Sequence, residues 1–128
     1  MNTKVENHIS QFKKLFSSFQ NLIVKTEVEL LSLASKFKKI ESEYNNALSD
    51  LLIKKKIAVV SSYTTYHWLN ILKLFLYANN ISPQFYEAEY DSINTEILDG
   101  NSKLYNIQPD ILIICTHHKD IKNFQKQF

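Results

Sequence analysis

The run "KKKIAVVSS", Lys54 to Ser62, constrains the fold more than any other stretch. Four consecutive apolar residues, Ile57 to Val60, follow three lysines and end in small hydroxyl residues. A strand that is apolar on both faces is one that is covered on both faces, which is the habit of parallel sheets. A parallel neighbour needs a crossover connection, and the next segments supply one. "TTYHWLNILKLFLYANN" is apolar on most sides and predicts a helix, with Thr64 or Thr65 as N-cap. Asn79-Asn80 ends it, because Asn tolerates the left-handed conformation. "ISPQFYEAE" reads as a second strand with Pro83 among its first residues. "DILIICT", entered through Pro109, reads as a third strand, and "HHKDIKNFQKQF" as the start of another helix. Strand, helix, strand, connection, strand and helix together predict an α/β domain over residues 56–128, built on a small three-stranded parallel, Rossmann-like sheet with flanking helices. Doubly wound domains carry more strands, so the expectation is a truncated domain or one completed by other polypeptide.

Residues 1–55 predict a helical extension. In "ENHISQFKKLFSSFQNLI", Ile9, Phe12, Leu15, Phe16, Phe19, Leu22 and Ile23 recur every three or four residues, one stripe of a single amphipathic helix. Thr26 followed by Glu29 is a Thr-x-x-Glu capping box that starts a second helix. Val28, Leu31, Ala34 and Phe37 continue its period. Ser49-Asp50 ahead of the apolar group Leu51–Ile53 predicts a break near residues 41–49.

Charge narrows the function classes. Residues 1–56 hold 10 Lys and 6 acids, a balance of +4, and residues 57–128 hold 5 Lys and 7 acids, a balance of −2, which sum to the net +2. All 15 basic residues are Lys. Without Arg there is no bidentate reading of guanine or clamping of phosphate, which argues against nucleic acid as a partner. The apolar stretches are too short and interrupted to span a bilayer. The N-terminal stripe lacks the dense basic face of a membrane-surface helix, so no membrane partner is expected. A single Cys, with a polar N-terminus unlike a signal peptide, fits a cytoplasmic location. Gly100 is the lone glycine, so no glycine-rich phosphate loop exists.

Ligands of open α/β sheets sit beyond the carboxyl ends of the strands. Those ends carry Ser61, Ser62 and Thr64 after the first strand, Tyr90 and Asp91 after the second, and Thr116 and His117 after the third. These seven are the candidate ligand-binding residues, and parallel strands would bring them to one edge. Ser62 with His117 or His118 is the one conceivable nucleophile–base pair, although no Gly-x-Ser-x-Gly elbow is present. Hydroxyls after a strand are also ordinary caps for the following helix, and plainer capping and turn roles are the expectation for Ser61, Ser62, Thr64 and Thr65. Cys115 sits in an apolar run and reads as a small core residue. Too few ligands converge for zinc. Trp68, Phe75 and Tyr77 read as core rather than as a stacking platform.

"KIAVVSSYTT" and "QFYEAEYDSINTEILDGNSKLYNIQPDILII", with their spacing, resemble the N-terminal domain of FkbH-like proteins across about residues 55–120. Tyr90, Ile97, Leu98, Asp99, Ser102, Leu104, Tyr105, Pro109 and Asp110 match the family pattern, while Gly100 stands for its usual Pro and Ile107 for its usual Phe. The resemblance implies an SGNH-hydrolase-like α/β domain that precedes a HAD-superfamily phosphatase domain. The family transfers a glyceryl unit to an acyl carrier protein. That chemistry belongs to the HAD domain, with its Asp-x-Asp motif and Mg²⁺. No Asp-x-Asp occurs in this chain, so no cofactor is expected in it. The SGNH nucleophile stands in a Gly-Asp-Ser turn, where this chain has Ser61-Ser62-Tyr63. The serine position then falls on Tyr63, or on Ser62 with a shift of one residue. The expected function is a non-catalytic recognition or scaffold domain whose partners are a HAD catalytic domain or an acyl carrier protein. The alternatives are a degenerate SGNH-type esterase using Ser62, and a helical dimerisation module using the Ile9–Phe12–Phe16–Phe19–Ile23 stripe.

Overall fold

A computed structural model describes residues 3–116 of the chain. Its elements are α1 (Thr3–Leu15), α2 (Gln20–Ile23), α3 (Glu27–Ala47), β1 (Ile53–Ser61), α4 (Tyr66–Ala78), β2 (Ile81–Glu87), α5 (Ile93–Leu98), α6 (Lys103–Ile107) and β3 (Ile111–Cys115). The helix expected at "HHKDIKNFQKQF", with His117 and His118, lies outside the described residues. Two compact units result. One takes the chain up to Lys54 together with Tyr66–Pro83; the other takes Lys55–Thr65 and the described residues from Gln84 onward.

The first unit is helical and aromatic. α3 packs against both α1 and α4. Phe12, Phe16, Phe37, Tyr44 and Tyr77 converge in its core, all buried. Phe37 lies at the middle, with ring centroids 5.1 Å from Phe12, 5.3 Å from Phe16, 5.3 Å from Tyr44 and 4.7 Å from Tyr77, all edge-to-face. That geometry sets the positive ring edge against the negative face and adds to the burial term.

The single N-terminal helix expected from the apolar stripe is in fact two. α1 stops at Leu15 because the polar side chains that follow compete for its backbone. Ser17 Oγ donates to the Lys14 carbonyl at 2.7 Å, Asn21 Nδ2 to the Leu15 carbonyl at 3.2 Å, and Ser18 Oγ accepts from the Gln20 N–H at 3.3 Å. The stripe therefore divides: Ile9, Phe12 and Phe16 are buried, whereas Phe19 and Ile23 are each 47% exposed. Phe19 packs its ring 5.0 Å from that of Phe75.

The break expected near residues 41–49 falls only at the end of that window, since α3 runs unbroken to Ala47 and Leu48 is its C-cap. Asn is a weak helix former, but tertiary partners hold this turn. Tyr44 is buried, and Asn45 Nδ2 donates to the Glu41 carbonyl and to the Tyr77 hydroxyl at 2.9 and 2.8 Å. Glu41 accepts from the Tyr77 hydroxyl at 2.8 Å and from Lys73 at 2.9 Å. Ser82 Oγ completes the group by donating to Asn45 Oδ1. The capping box forms as read: the Glu29 N–H donates to Thr26 Oγ1 at 3.2 Å and the Thr26 N–H to Glu29 Oε1 at 3.3 Å.

The sheet is three-stranded and parallel, in the order β2-β1-β3. β1 and β3 pair with Ile57 opposite Ile111 and Ser61 opposite Cys115. Ile57, Ala58, Val59 and Val60 are all buried, as their unbroken apolar run requires of a central strand. Pro83 is accommodated because β2 lies at an edge of the three. Asn80, just past α4, has φ 60°, the left-handed turn its side chain tolerates.

Candidate functional site

The second unit brings the ends of its strands together. The Asp91 N–H donates to the Ser61 carbonyl at 3.1 Å, the Ser62 N–H to the Cys115 carbonyl at 3.1 Å, and the Ala88 N–H to the Val59 carbonyl at 2.9 Å. The candidates after the first two strands, and the end of β3 at Cys115 with Thr116, thus share one carboxyl-terminal edge. His117 lies outside the described residues.

The side chains there have separate roles. Ser61 is buried, and its hydroxyl is committed locally: it donates to the Tyr63 carbonyl at 2.6 Å and accepts from the Tyr63 N–H at 3.0 Å. This is the turn-bracing role that the plainer reading assigned to it. Ser62 is half-buried, and Thr64 and Thr116 are exposed. Tyr90 is 72% exposed. Asp91, also exposed, has φ 59°. A non-glycine residue in this left-handed region is uncommon, though Asp is among those that tolerate it. Its backbone N–H holds the bend onto Ser61, so the left-handed turn is what brings the end of β2 against the end of β1.

Tyr63, which the motif comparison placed at the nucleophile position, pairs with Cys115. Cys115 beside it pushes the Tyr63 phenol above its usual range. Cys115 is buried, in keeping with a small core residue. The pairing was not readable from the sequence, where 52 positions separate the two, because it depends on the β1–β3 register that sets Ser61 opposite Cys115.

The connection between β2 and β3 holds two short helices, α5 and α6, joined by a turn at Asp99-Gly100 and fastened by Glu96. The Glu96 carboxylate accepts from the Tyr86 hydroxyl at 2.8 Å and from the Leu104 N–H, in the first turn of α6, at 3.2 Å. Burial and the adjacent Glu96 push the Tyr86 phenol up to about 12. The Ser102 hydroxyl donates to the Glu96 carbonyl at 2.7 Å, and the Tyr105 hydroxyl to the Ile97 carbonyl. Asp99 Oδ1 braces its turn by accepting from the Asn101 N–H at 2.9 Å. Asp110 reaches farther: its carboxylate accepts from the Lys56 N–H at 2.8 Å, while its own N–H donates to the Lys56 carbonyl at 2.8 Å.

The family model for the FkbH N-terminal domain matches residues 56–128, more than half of the chain. The chain belongs to the FkbH N-terminal domain family. In this FkbH domain, five of the residues that carried the resemblance are structural: Asp99, Ser102, Tyr105 and Asp110 serve as internal braces, and Leu104 is buried. Among solved structures the chain is similar to the N-terminal part of protein BF1531 from Bacteroides fragilis, which contains a phosphatase domain and was crystallised in complex with Mg. Identity is 29% and the TM-score 0.52, over 56% of this chain and 19% of that one. The chain thus spans about a fifth of that structure's length. No curated protein matches the chain. Among the described residues no three His, Cys, Asp or Glu side chains form a group able to hold a metal ion. No described helix is long and apolar enough to cross a membrane.

Proposed function

We propose that this FkbH domain is a non-catalytic recognition or scaffold element. It packs against a phosphatase-type catalytic domain and offers a surface to an acyl carrier protein in glyceryl transfer. The observation that carries this reading is β3. Ile111, Leu112 and Ile114 are 46%, 42% and 49% exposed on a strand at the edge of the three-stranded sheet. An apolar edge strand is a template for further pairing and aggregates unless something covers it. Leu112 and Ile114 alternate with Ile113 and so share one sheet face, which suits a protein partner that pairs with the edge and packs on that face. The Ser61 hydroxyl supports the same reading, because its bonds to Tyr63 hold a turn rather than arm a nucleophile.

Binding between the chain and a separately purified FkbH-type phosphatase domain tests the proposal, read by calorimetry. A complex is expected, with Leu112→Asp weakening it at least about tenfold, or about 1.4 kcal/mol. An unchanged far-ultraviolet circular dichroism spectrum would show that the variant still folds. No complex with the intact chain would overturn the proposal. So would ester hydrolysis by the chain that disappears in Ser62→Ala.

A further inference from the structure

A groove of about 690 Å³ lies between α1 and α3 in the helical unit. Its floor is apolar, formed by Val5, Phe12 and Leu15 from α1 and by Leu33 and Ile40 from α3. Phe12 and Ile40 belong to the buried core, and Val5, Leu15 and Leu33 pack against it, so the floor is an opening onto the core itself. The rim is basic. Lys4 and His8 stand one turn apart on α1, and Lys36 and Lys39 stand three residues apart on α3. No Asp or Glu is among the described residues that line the groove. This is notable because α3 carries four Glu of its own, at positions 27, 29, 41 and 43. Its volume falls within the range of about 300–1,000 Å³ usual for small-molecule sites, which pair apolar walls with a few placed polar groups.

We infer that this groove binds a single-chain anionic amphiphile in free solution: an alkyl chain laid along the apolar floor, with a carboxylate held by Lys36, Lys39 and His8. The proposal is independent of the scaffold reading above. Charge complementarity selects the head group, since an ammonium head would face Lys36 and Lys39 with no carboxylate among the described lining residues to offset them. The apolar floor selects the tail, since a short carboxylate would leave Leu33 and Ile40 unfilled. Lysine suits a carboxylate that approaches from more than one angle, because an ammonium group is a point charge without the fixed fork of a guanidinium.

Calorimetric titration of the intact chain with dodecanoate, kept below its micelle concentration, is the test. One saturable site is expected, with no binding of acetate or of dodecyltrimethylammonium. Lys36→Glu combined with Lys39→Glu should weaken dodecanoate binding at least about tenfold. Leu33→Gln should weaken it while leaving the cation discrimination intact. The urea midpoint of each variant separates lost binding from lost folding. If a variant fails to fold, the wild-type comparison of dodecanoate with dodecyltrimethylammonium still decides. Equal binding of both surfactants would overturn the proposal, as would affinity unchanged by the double charge reversal. Binding to phosphatidylglycerol vesicles but not to free dodecanoate would also overturn it, by assigning the face to a membrane.

Discussion

Asp110 shows how a family-pattern residue acts in this domain. The sequence places Pro109-Asp110 before a strand, a position where Asp commonly braces a turn. The carboxylate instead crosses to the start of the neighbouring strand and accepts the Lys56 N–H at 2.8 Å. It fixes where β1 and β3 begin to pair, one residue before the Ile57–Ile111 pair. Asp110→Ala should cost about 1 kcal/mol, the size of an ordinary hydrogen bond and below the ~1.5–3 kcal/mol of one to a charged group, because the site is exposed. Asp110→Asn should cost less, since an amide oxygen can still accept. Urea denaturation of both variants checks the order. Ser61 is a shorter-range brace: its hydroxyl is engaged by the backbone of Tyr63, two residues on.

The capping box at the start of α3 was legible in the sequence because it is local: Thr26 and Glu29 are three residues apart and need no other partner. The Thr26 backbone N–H, then its side chain, hold the Glu29 carboxyl below its ordinary value of 4.5. A depressed carboxylate contributes stability above its unfolded value and loses that contribution as pH falls through the folded one. Thr26→Ala should destabilise the protein by about 1 kcal/mol, and the difference from wild type should shrink on acidification. Thermal melts of the two proteins across an acidic pH series measure this. The ends of α1 and α3 were not legible in the same way. Whether Ser17 and Ser18 stop a helix, or Asn45 and Asn46 continue one, depends on which acceptors the fold brings within reach. Serine side chains found backbone partners in the first case, and Asn45 found the Tyr77 hydroxyl in the second.

The aromatic core joins α1, α3 and α4, and it makes stability depend on alkaline pH. Burial pushes Tyr44 up to about 12 and raises Tyr77 as well. A raised tyrosine stabilises the fold in full below its unfolded pKa of about 10, and that contribution is lost as pH rises through the folded value. Stability should therefore fall from about pH 10 upward, with tyrosinate absorbance rising as circular dichroism is lost. Tyr44→Phe should flatten the fall; an identical pH profile for that variant would assign it to other groups. What the sequence determined by itself was whatever short-range chemistry decides. The buried β-branched run at Ile57–Val60, the parallel order of strands and helices, the Thr26 cap and the left-handed Asn80 all follow from neighbouring residues. Tertiary structure alone decided the rest: the division of the Phe stripe into buried and exposed parts, the pairing of Tyr63 with Cys115, the folding of the connection around Glu96, and the basic-rimmed groove between α1 and α3. Each of these depends on residues that meet only when helices pack or strands take register, and packing and register are set by the whole core rather than by any one segment.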